Sequence, residues 1–152
     1  MEWSEIIVRL CAASLVGSLI GLNRDLRGKP AGVRTLGIVG LASALVVMVA
    51  DAPLGLSGPH PDAISRVIQG VVTGIGFLGA GVIVRTGGFQ SIHGLTTAAS
   101  VWLTACLGMA CGVANWRMVI VAVPLAFLIL IFGGPAEKAV HRWWDRGEEP
   151  KS

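Results

Sequence analysis

Five long apolar blocks, separated by short polar connectors, dominate the pattern of hydrophobic and polar positions along the chain. Crossing the roughly 30 Å hydrocarbon core of a bilayer takes about 20 helical residues, and each block is close to that length. No block has a charged residue inside it except the first, which begins at Glu5 and contains Arg9. The pattern therefore predicts an all-α membrane domain over residues 1–134, with five transmembrane helices at about 5–22, 35–50, 67–84, 94–114 and 118–134.

The composition supports a membrane protein over a soluble one. Hydrophobic residues make up 53% of the chain and charged residues only 14%, whereas soluble domains carry about 25% charged residues. There is too little polar material to cover a water-facing surface, which disfavours a soluble enzyme. The net charge of +3 comes from bases at the edges of the apolar blocks. They are interpreted as topology signals, and no nucleic-acid partner is expected.

The distribution of bases predicts the orientation of the domain. The connectors 23–34 and 85–93, together with the residues after 134, hold nine of the twelve Lys and Arg residues. Five spans place these three segments on one side, and the positive-inside rule makes that side cytoplasmic. We therefore expect the N-terminus outside and the C-terminus inside. Residues 135–152 are expected to form a short basic and aromatic cytoplasmic tail, without a soluble C-terminal domain.

Polar and small residues form stripes on three of the predicted helices. On the third helix, Arg66, Gln69, Thr73, Gly76 and Ala80 share one face, and Gly70, Gly74 and Gly81 lie on the other. Small residues on both faces predict that this helix lies at the centre of the bundle. Similar faces follow on the fourth helix (Thr97, Ser100, Thr104, Gly108, Cys111) and the first helix (Cys11, Ser14, Gly17, Ser18, Gly21).

These faces have two interpretations. They are either packing seams with interhelical hydrogen bonds, or the lining of a narrow polar path formed by Gln69, Thr73, Thr97, Ser100 and Thr104. No ionisable residue lies at mid-depth, which argues against a proton-coupled path.

The sequence contains no strong motif for catalysis or for binding a metal or cofactor. Residues 74–79 match the glycine spacing of a dinucleotide site, but no strand precedes them and Ala99 stands where an acidic residue is needed. The three histidines lie in separate connectors and the three cysteines lie in apolar runs. Asp51 and Asp62 are interpreted as solvated carboxylates on an outer loop. We expect no enzymatic activity, no metal site and no cofactor.

The connector 23–35 is the most polar segment near the membrane. Its bases are interpreted as a cationic signal that keeps the connector on the cytoplasmic side. That role does not explain why an acidic residue, Asp25, lies among them. We therefore hypothesise that Asp25 pairs with Arg34 or with Arg85.

Three segments together resemble the MgtC/SapB family of bacterial inner-membrane proteins. They are Gly21–Asp25 leading to Lys29–Thr35, Arg66 leading to Gly74–Ile83, and Gly94–Trp102. The resemblance extends over residues 4–134 and implies a five-helix, multi-pass protein of the inner membrane. It also implies a role in adaptation to low magnesium and in virulence. Members resemble regulators of other membrane machinery, the F-type ATP synthase among them, more than magnesium transporters.

The resemblance also implies which residues matter. Positions that match the family pattern are Arg24, Asp25, Arg34, Thr35, Arg66, Gly74, Gly76, Gly79, Gly81, Thr96 and Thr97. The helix faces add Gln69 and Thr73, and the pairing hypothesis adds Arg85. Departures from the family pattern are Asn23 in place of Glu, Leu36 in place of a polar residue, and Gly70 in place of Gln.

Two hypotheses for the function follow. The first is a non-enzymatic regulator that lies in the lipid bilayer and binds a larger membrane complex. The second is a homo-oligomeric transporter or channel for an ion or small solute, lined by the polar faces of the first, third and fourth helices.

Overall fold

The computed structural model describes residues 1–51, 61–85 and 92–145. These residues form five helices and one short antiparallel pairing of two-residue strands, β1 (Val84–Arg85) and β2 (Ile92–His93). Every helix is long and apolar enough to span a membrane, so the predicted five-span class is confirmed for the described residues. The helices are α1 (Trp3–Asp25), α2 (Val33–Asp51), α3 (Pro61–Val82), α4 (Leu95–Gly112) and α5 (Trp116–Asp145).

Left-handed residues end α1 and α4 in the same way. After α1, Gly28 has φ 61°, and the amides of Gly28 and Lys29 donate to the carbonyls of Asp25 and Arg24 at 3.0 Å each. These two bonds satisfy carbonyls that the helix end would otherwise leave free. After α4, Ala114 takes the same position with φ 55°. Short connectors then return the chain as α2 and as α5.

The centre of the molecule is formed by α1, α2 and α4, which approach one another at glycines. A Cβ atom placed on Gly40 would lie 2.5 Å from the Ala13 carbonyl oxygen, and one on Gly112 would lie 2.7 Å from the Ala44 oxygen. Gly17 meets the backbone of Leu36 in a similar way. Backbones this close exclude any side chain, which is how membrane helices gain packing contacts without a hydrophobic driving force between them.

The prediction that the third helix lies at the centre is wrong. Nothing lies within 4 Å of a Cβ placed on Gly70, Gly74, Gly76 or Gly81, and Gly79 makes only an ordinary contact, at 3.5 Å, with the Ala98 Cβ. The helix packs instead through an apolar stripe that includes Val71 and Ile75. Small residues permit a close approach, but the branched apolar side chains decide which face of α3 is buried.

Helix α5 lies at the edge of the bundle and contacts it through Val119, Val123 and Ala126. It continues past the predicted span end at residue 134 and reaches Asp145. Pro135 lies inside it and has no N–H, so the Ile131 carbonyl four residues earlier loses its helical donor. The Arg27 guanidinium supplies a replacement donor, with Nη2 3.4 Å from the Ile131 oxygen. This bond ties α5 to the α1–α2 connector.

Candidate functional site

A buried arginine occupies the inner end of the α1–α4 contact. Arg24 lies in the last turn of α1 and is only 3% exposed. Its Nε donates to the Pro30 carbonyl at 3.1 Å, Nη1 donates to Ser100 Oγ at 3.3 Å, and Nη2 donates to Thr97 Oγ1. We call Arg24, Pro30, Thr97 and Ser100 the Arg24 cluster. It joins the end of α1, the α1–α2 connector and the start of α4.

Neutral dipoles surround this charge. The ion pair that the described residues contain joins Arg9 to Glu5, with no carboxylate paired to Arg24. A buried guanidinium is costly unless its donors are satisfied. Here a carbonyl and two hydroxyls accept from it, and the negative end of the α1 helix dipole lies beside it. The cluster therefore holds a cation in place without neutralising it.

The hydroxyls of Thr97, Ser100 and Thr104 on α4 all form hydrogen bonds inside the bundle. Ser100 Oγ donates to the Thr96 carbonyl at 2.7 Å, so its lone pairs face Arg24. Thr104 Oγ1 donates to the Ser100 carbonyl at 2.8 Å and is 1% exposed. The face predicted for the fourth helix is confirmed as buried from Thr97 to Cys111. It forms a packing seam within the chain.

The buried face of α1 is rotated from the predicted one. The buried residues are Ala13, Gly17, Ile20, Gly21 and Arg24, whereas Cys11 is exposed. The bulk of Ile20 and the polar contacts of Arg24 place this side against α4 and α2.

Asp25 caps the start of α2. Its Oδ2 accepts a hydrogen bond from the Val33 amide at 2.9 Å, and its carboxylate fills the space where a Cβ of residue 32 would stand, so a larger residue in place of Gly32 would displace this carboxylate. The hypothesis that Asp25 pairs with Arg34 is wrong for the described residues, because the carboxylate serves a backbone donor. Pairing with Arg85 stays a prediction, since the Arg85 side chain lies outside the described residues.

The other predicted candidates are spread over the surface. Arg34, Thr35 and Thr96 are exposed near the inner ends of α2 and α4, while Arg66, Gln69 and Thr73 are exposed on α3. Thr73 Oγ1 donates to the Gln69 carbonyl at 2.8 Å. Of the four glycines singled out on α3, Gly74, Gly76 and Gly81 are open and only Gly79 packs against α4. Consequently the proposed five-residue polar path is divided, with two residues outside and three sealed inside.

The sequence did not predict two of the partners of Arg24, nor a similar contact at the other end of α4. Ser100 was predicted to line a polar path but not to bind Arg24, although its spacing of three from Thr97 puts both hydroxyls on the same side of a helix. Pro30 contributes only its backbone carbonyl, so no side-chain pattern signals it. At the other end of α4, Arg9 Nη1 donates to the Gly112 carbonyl at 3.1 Å. Two arginines of α1 thus hold both ends of α4.

The described residues contain no group of three or more His, Cys, Asp or Glu side chains that could hold a metal ion. Of the cysteines, Cys11 is exposed and Cys111 is buried.

These features define a multi-pass, all-helical membrane protein whose central contact is built from glycines and a buried arginine. Residues 10–139 match the MgtC family, and the chain belongs to that family. The chain is 41% identical over 139 residues to protein SrpB of Synechococcus elongatus, covering 85% of this chain and 75% of SrpB.

Two further relatives are similar over most of this chain. "Putative magnesium transporter YhiD" of Escherichia coli K12 is 41% identical, covering 84% of this chain and 60% of YhiD. Protein MgtC of Salmonella typhimurium LT2 is 39% identical, covering 76% of this chain and 47% of MgtC. The chain thus corresponds to between about half and three quarters of the length of these relatives. No solved structure matches.

Proposed function

We propose that this protein is a non-enzymatic regulator in the bacterial inner membrane that acts by binding another membrane complex. The observation that carries the proposal is the Arg24 cluster, which fills the polar interior of the bundle. Thr97, Ser100 and Thr104 are all at most 3% exposed. A path for ions would need these hydroxyls to face water, whereas they face a guanidinium and their own helix.

Electrostatics within a single chain also disfavours a magnesium path along these hydroxyls. A monovalent and a divalent cation 4 Å apart repel by about 8 kcal/mol at an effective dielectric constant of 20. A dehydrated Mg²⁺ ion moving past Thr97 would meet Arg24 at about that distance. Contacts made by the outside of the bundle are therefore the more plausible mode of action.

The biological setting of the proposal follows from the family. We propose that the protein serves adaptation to low magnesium, that it contributes to virulence where the bacterium is a pathogen, and that the F-type ATP synthase is a candidate partner. The exposed bases Arg27 and Arg34 beside the Arg24 cluster form a cationic rim on the predicted cytoplasmic side. Such a rim attracts acidic partner surfaces and fixes their orientation.

In-cell cross-linking under magnesium limitation tests this proposal. The full chain should be captured with a membrane complex, and Arg34→Glu should reduce the capture because it reverses a charge on the rim. Arg117→Glu is the matched control, since Arg117 is also exposed but lies at the start of α5, at the opposite end of the bundle. The proposal fails if no membrane complex is captured, or if both substitutions reduce capture equally.

The alternative is an oligomeric transporter for an ion or small solute. One observation favours it: Gln69 and Thr73 lie on an exposed face of α3, where several copies could line a path between them. The name of YhiD, a magnesium transporter by that name, points the same way. This alternative requires solute flux through the purified protein in liposomes, and Thr73→Val should reduce that flux.

A further inference from the structure

The last third of α5 leaves the bundle. The buried and half-buried residues of α5 end at Leu130, and every side chain that the structure describes beyond this point on the helix is exposed. The helix nevertheless continues to Asp145. We call residues 135–145 the α5 extension. Its described side chains do not pack on their own bundle.

The lipid-facing side of α5 continues into the extension without interruption. Within the span, Leu125, Ile129 and Phe132 are 54%, 67% and 63% exposed, on the side away from the bundle contacts. Four exposed residues of the extension lie in phase with them, within about 100° of arc on the helix: Ala136, Ala139, Val140 and Trp143. The side that faces lipid before Pro135 is therefore still apolar after it.

The opposite side of the helix changes from apolar to polar at the same point. Val119, Val123 and Leu130 pack on the bundle. The next positions along this side, at helical spacing, are Glu137, His141 and Asp145. In the span both sides are apolar, because one packs on protein and the other faces lipid. In the extension only the lipid-facing side stays apolar, and a helix of this kind suits the boundary between lipid and water.

The length of α5 allows the extension to reach that boundary. The span Trp116–Glu137 is about 33 Å long at 1.5 Å per residue, which already matches the roughly 30 Å hydrocarbon core. A perpendicular helix would carry Trp143 about 9 Å further, beyond a headgroup layer of about 5–7 Å. A tilt of about 40° instead places Trp116 and Trp143, about 40 Å apart along the helix, at the two hydrocarbon boundaries. Tryptophan is enriched at both boundaries.

We propose that the α5 extension binds the phospholipid surface at the end of the bundle where the Arg24 cluster lies. The side chains of Ala136, Val140 and Trp143 contact the edge of the hydrocarbon core, and Glu137 faces water. Lipid is the occupant because the apolar side of the extension is continuous with the lipid-facing side of the span. The proposal does not depend on the proposed regulatory function, since a regulator or a transporter can carry such an anchor.

The charges of the extension indicate which lipids it binds. Two acidic residues, Glu137 and Asp145, balance two basic residues, Lys138 and Arg142. A net positive charge, which would favour anionic headgroups, is absent from this sequence segment. Apolar contacts therefore carry the binding, and a zwitterionic phospholipid is sufficient.

Spin labels on the full chain in phosphatidylcholine liposomes test this placement. Single cysteines, in a chain whose three native cysteines are replaced by alanine, carry the label at Ala136, Ala139 or Val140 on one side and at Glu137 or His141 on the other. Oxygen, which concentrates in lipid, should relax the first set more strongly. A water-soluble nickel complex should relax the second set more strongly.

Three other results each overturn the proposal. Stronger relaxation by nickel at all five positions would mean that the extension projects into water. Stronger relaxation by oxygen at all five would mean that it lies inside the hydrocarbon core. Weak relaxation of the first set by both reagents would mean that protein, and not lipid, covers the apolar side.

A second measurement keeps the native cysteines and so does not depend on how the cysteine-free chain folds. A chain in which the other four tryptophans are replaced by phenylalanine reports on Trp143 alone. Phosphatidylcholine brominated near the headgroup end of its acyl chains should quench this fluorescence strongly, whereas acrylamide in the water should quench it weakly. Strong acrylamide quenching overturns the proposal, and so does a requirement for added phosphatidylglycerol.

Substitutions on the two sides of the extension provide matched variants. Val140→Ser with Trp143→Ser should lower the ratio of oxygen to nickel relaxation at residue 139 by about threefold or more, because the apolar contacts with lipid are lost. Glu137→Ser with His141→Ser is the control and should leave the ratio unchanged. An unchanged ratio in the first pair, or equal losses in both pairs, overturns the proposal. Neither pair alters the cationic rim, so capture of a membrane complex remains a separate measurement of the proposed function.

Discussion

At the scale of single residues, Arg24 shows how a membrane protein holds a charge inside itself. The guanidinium has several donors in a planar fork, and the fold offers it one carbonyl and two hydroxyls on two other segments. Lysine has no such fork and cannot reach all three acceptors. The sequence identified Arg24 as a candidate because its position matches a family pattern. Its burial depends on the packing of α4 against α1, which no local pattern encodes.

Replacing Arg24 should destabilise the bundle. Arg24→Ala should lower the free energy of unfolding by about 2–3 kcal/mol, because three hydrogen bonds are lost and a cavity is left between α1 and α4. Arg34→Ala, at an exposed position, should change it by less than about 0.5 kcal/mol. Thermal or SDS unfolding of the purified protein in detergent measures both. Equal effects of the two substitutions would contradict the structural role of Arg24.

The left-handed alanine after α4 predicts a stabilising substitution. Ala114→Gly should raise the stability by about 0.5–1 kcal/mol, because glycine adopts φ 55° without strain from a Cβ atom. Ala110→Gly, inside α4, should instead lower it by about 1 kcal/mol. The same unfolding measurement compares them, and a loss of stability in Ala114→Gly would show that this position is not strained.

At the scale of helices, the sequence predicted the number of elements well and their neighbours poorly. Five apolar blocks separated by polar connectors leave only one arrangement of spans, because backbone polar groups in lipid must be satisfied within helices. The start of α3 was predicted at residue 67, whereas Pro61 begins it. Proline in the first turn followed by Asp62 favours that earlier start. The end of α1 was also predicted too early, at residue 22, because the bases that follow were interpreted as a connector. The helix ends at Asp25.

Glycine position alone did not reveal which helix is central. The glycines of α1, α2 and α4 lie against backbones, whereas those of α3 mostly do not, yet both sets look alike in the sequence. The difference arises from the residues on the opposite side of each helix. The role of Asp25 as a cap for α2 could not be predicted either. It depends on the turn that brings the Val33 amide back to the end of α1.

Substitution at a central glycine should be severe. Gly108→Ala places a methyl group against the Gly40 backbone, so α2 and α4 must move apart at a cost of about 1–3 kcal/mol. Gly133→Ala on α5 has room, with only the Ile129 side chain 3.9 Å away, and should be neutral or stabilising. Unfolding in detergent distinguishes the two. A tolerated Gly108→Ala would mean that α2 and α4 do not pack so closely.

The bond from Arg27 to the Ile131 carbonyl predicts a coupling between two distant substitutions. Arg27→Ala should cost about 0.5–1 kcal/mol in the wild-type protein. In a Pro135→Ala background, residue 135 regains its N–H and can satisfy Ile131 itself, so Arg27→Ala should then cost almost nothing. A double-mutant cycle measures this difference directly. Purely additive effects would show that Arg27 does not serve the carbonyl that Pro135 leaves free.

At the scale of the whole molecule, the fold separates a closed interior from two surfaces open to partners. The interior is sealed by glycine contacts and by arginines at both ends of α4. The cationic rim lies at one end of the bundle, and the exposed polar residues Gln69 and Thr73 of α3 lie along its side. The match to the MgtC family covers residues 10–139 and so includes the Arg24 cluster, the cationic rim and these residues of α3. Under the proposed function, the protein acts through its surfaces and not through its core.

Magnesium flux into liposomes that contain the purified wild-type chain tests the closed interior most directly. We predict that the rate equals that of empty liposomes across a magnesium gradient, and that Thr104→Val leaves it unchanged because Thr104 is sealed against its own helix. Saturable flux above the empty-liposome rate that is lost in Thr104→Val would contradict this account, because it would place an ion path where the structure places Arg24.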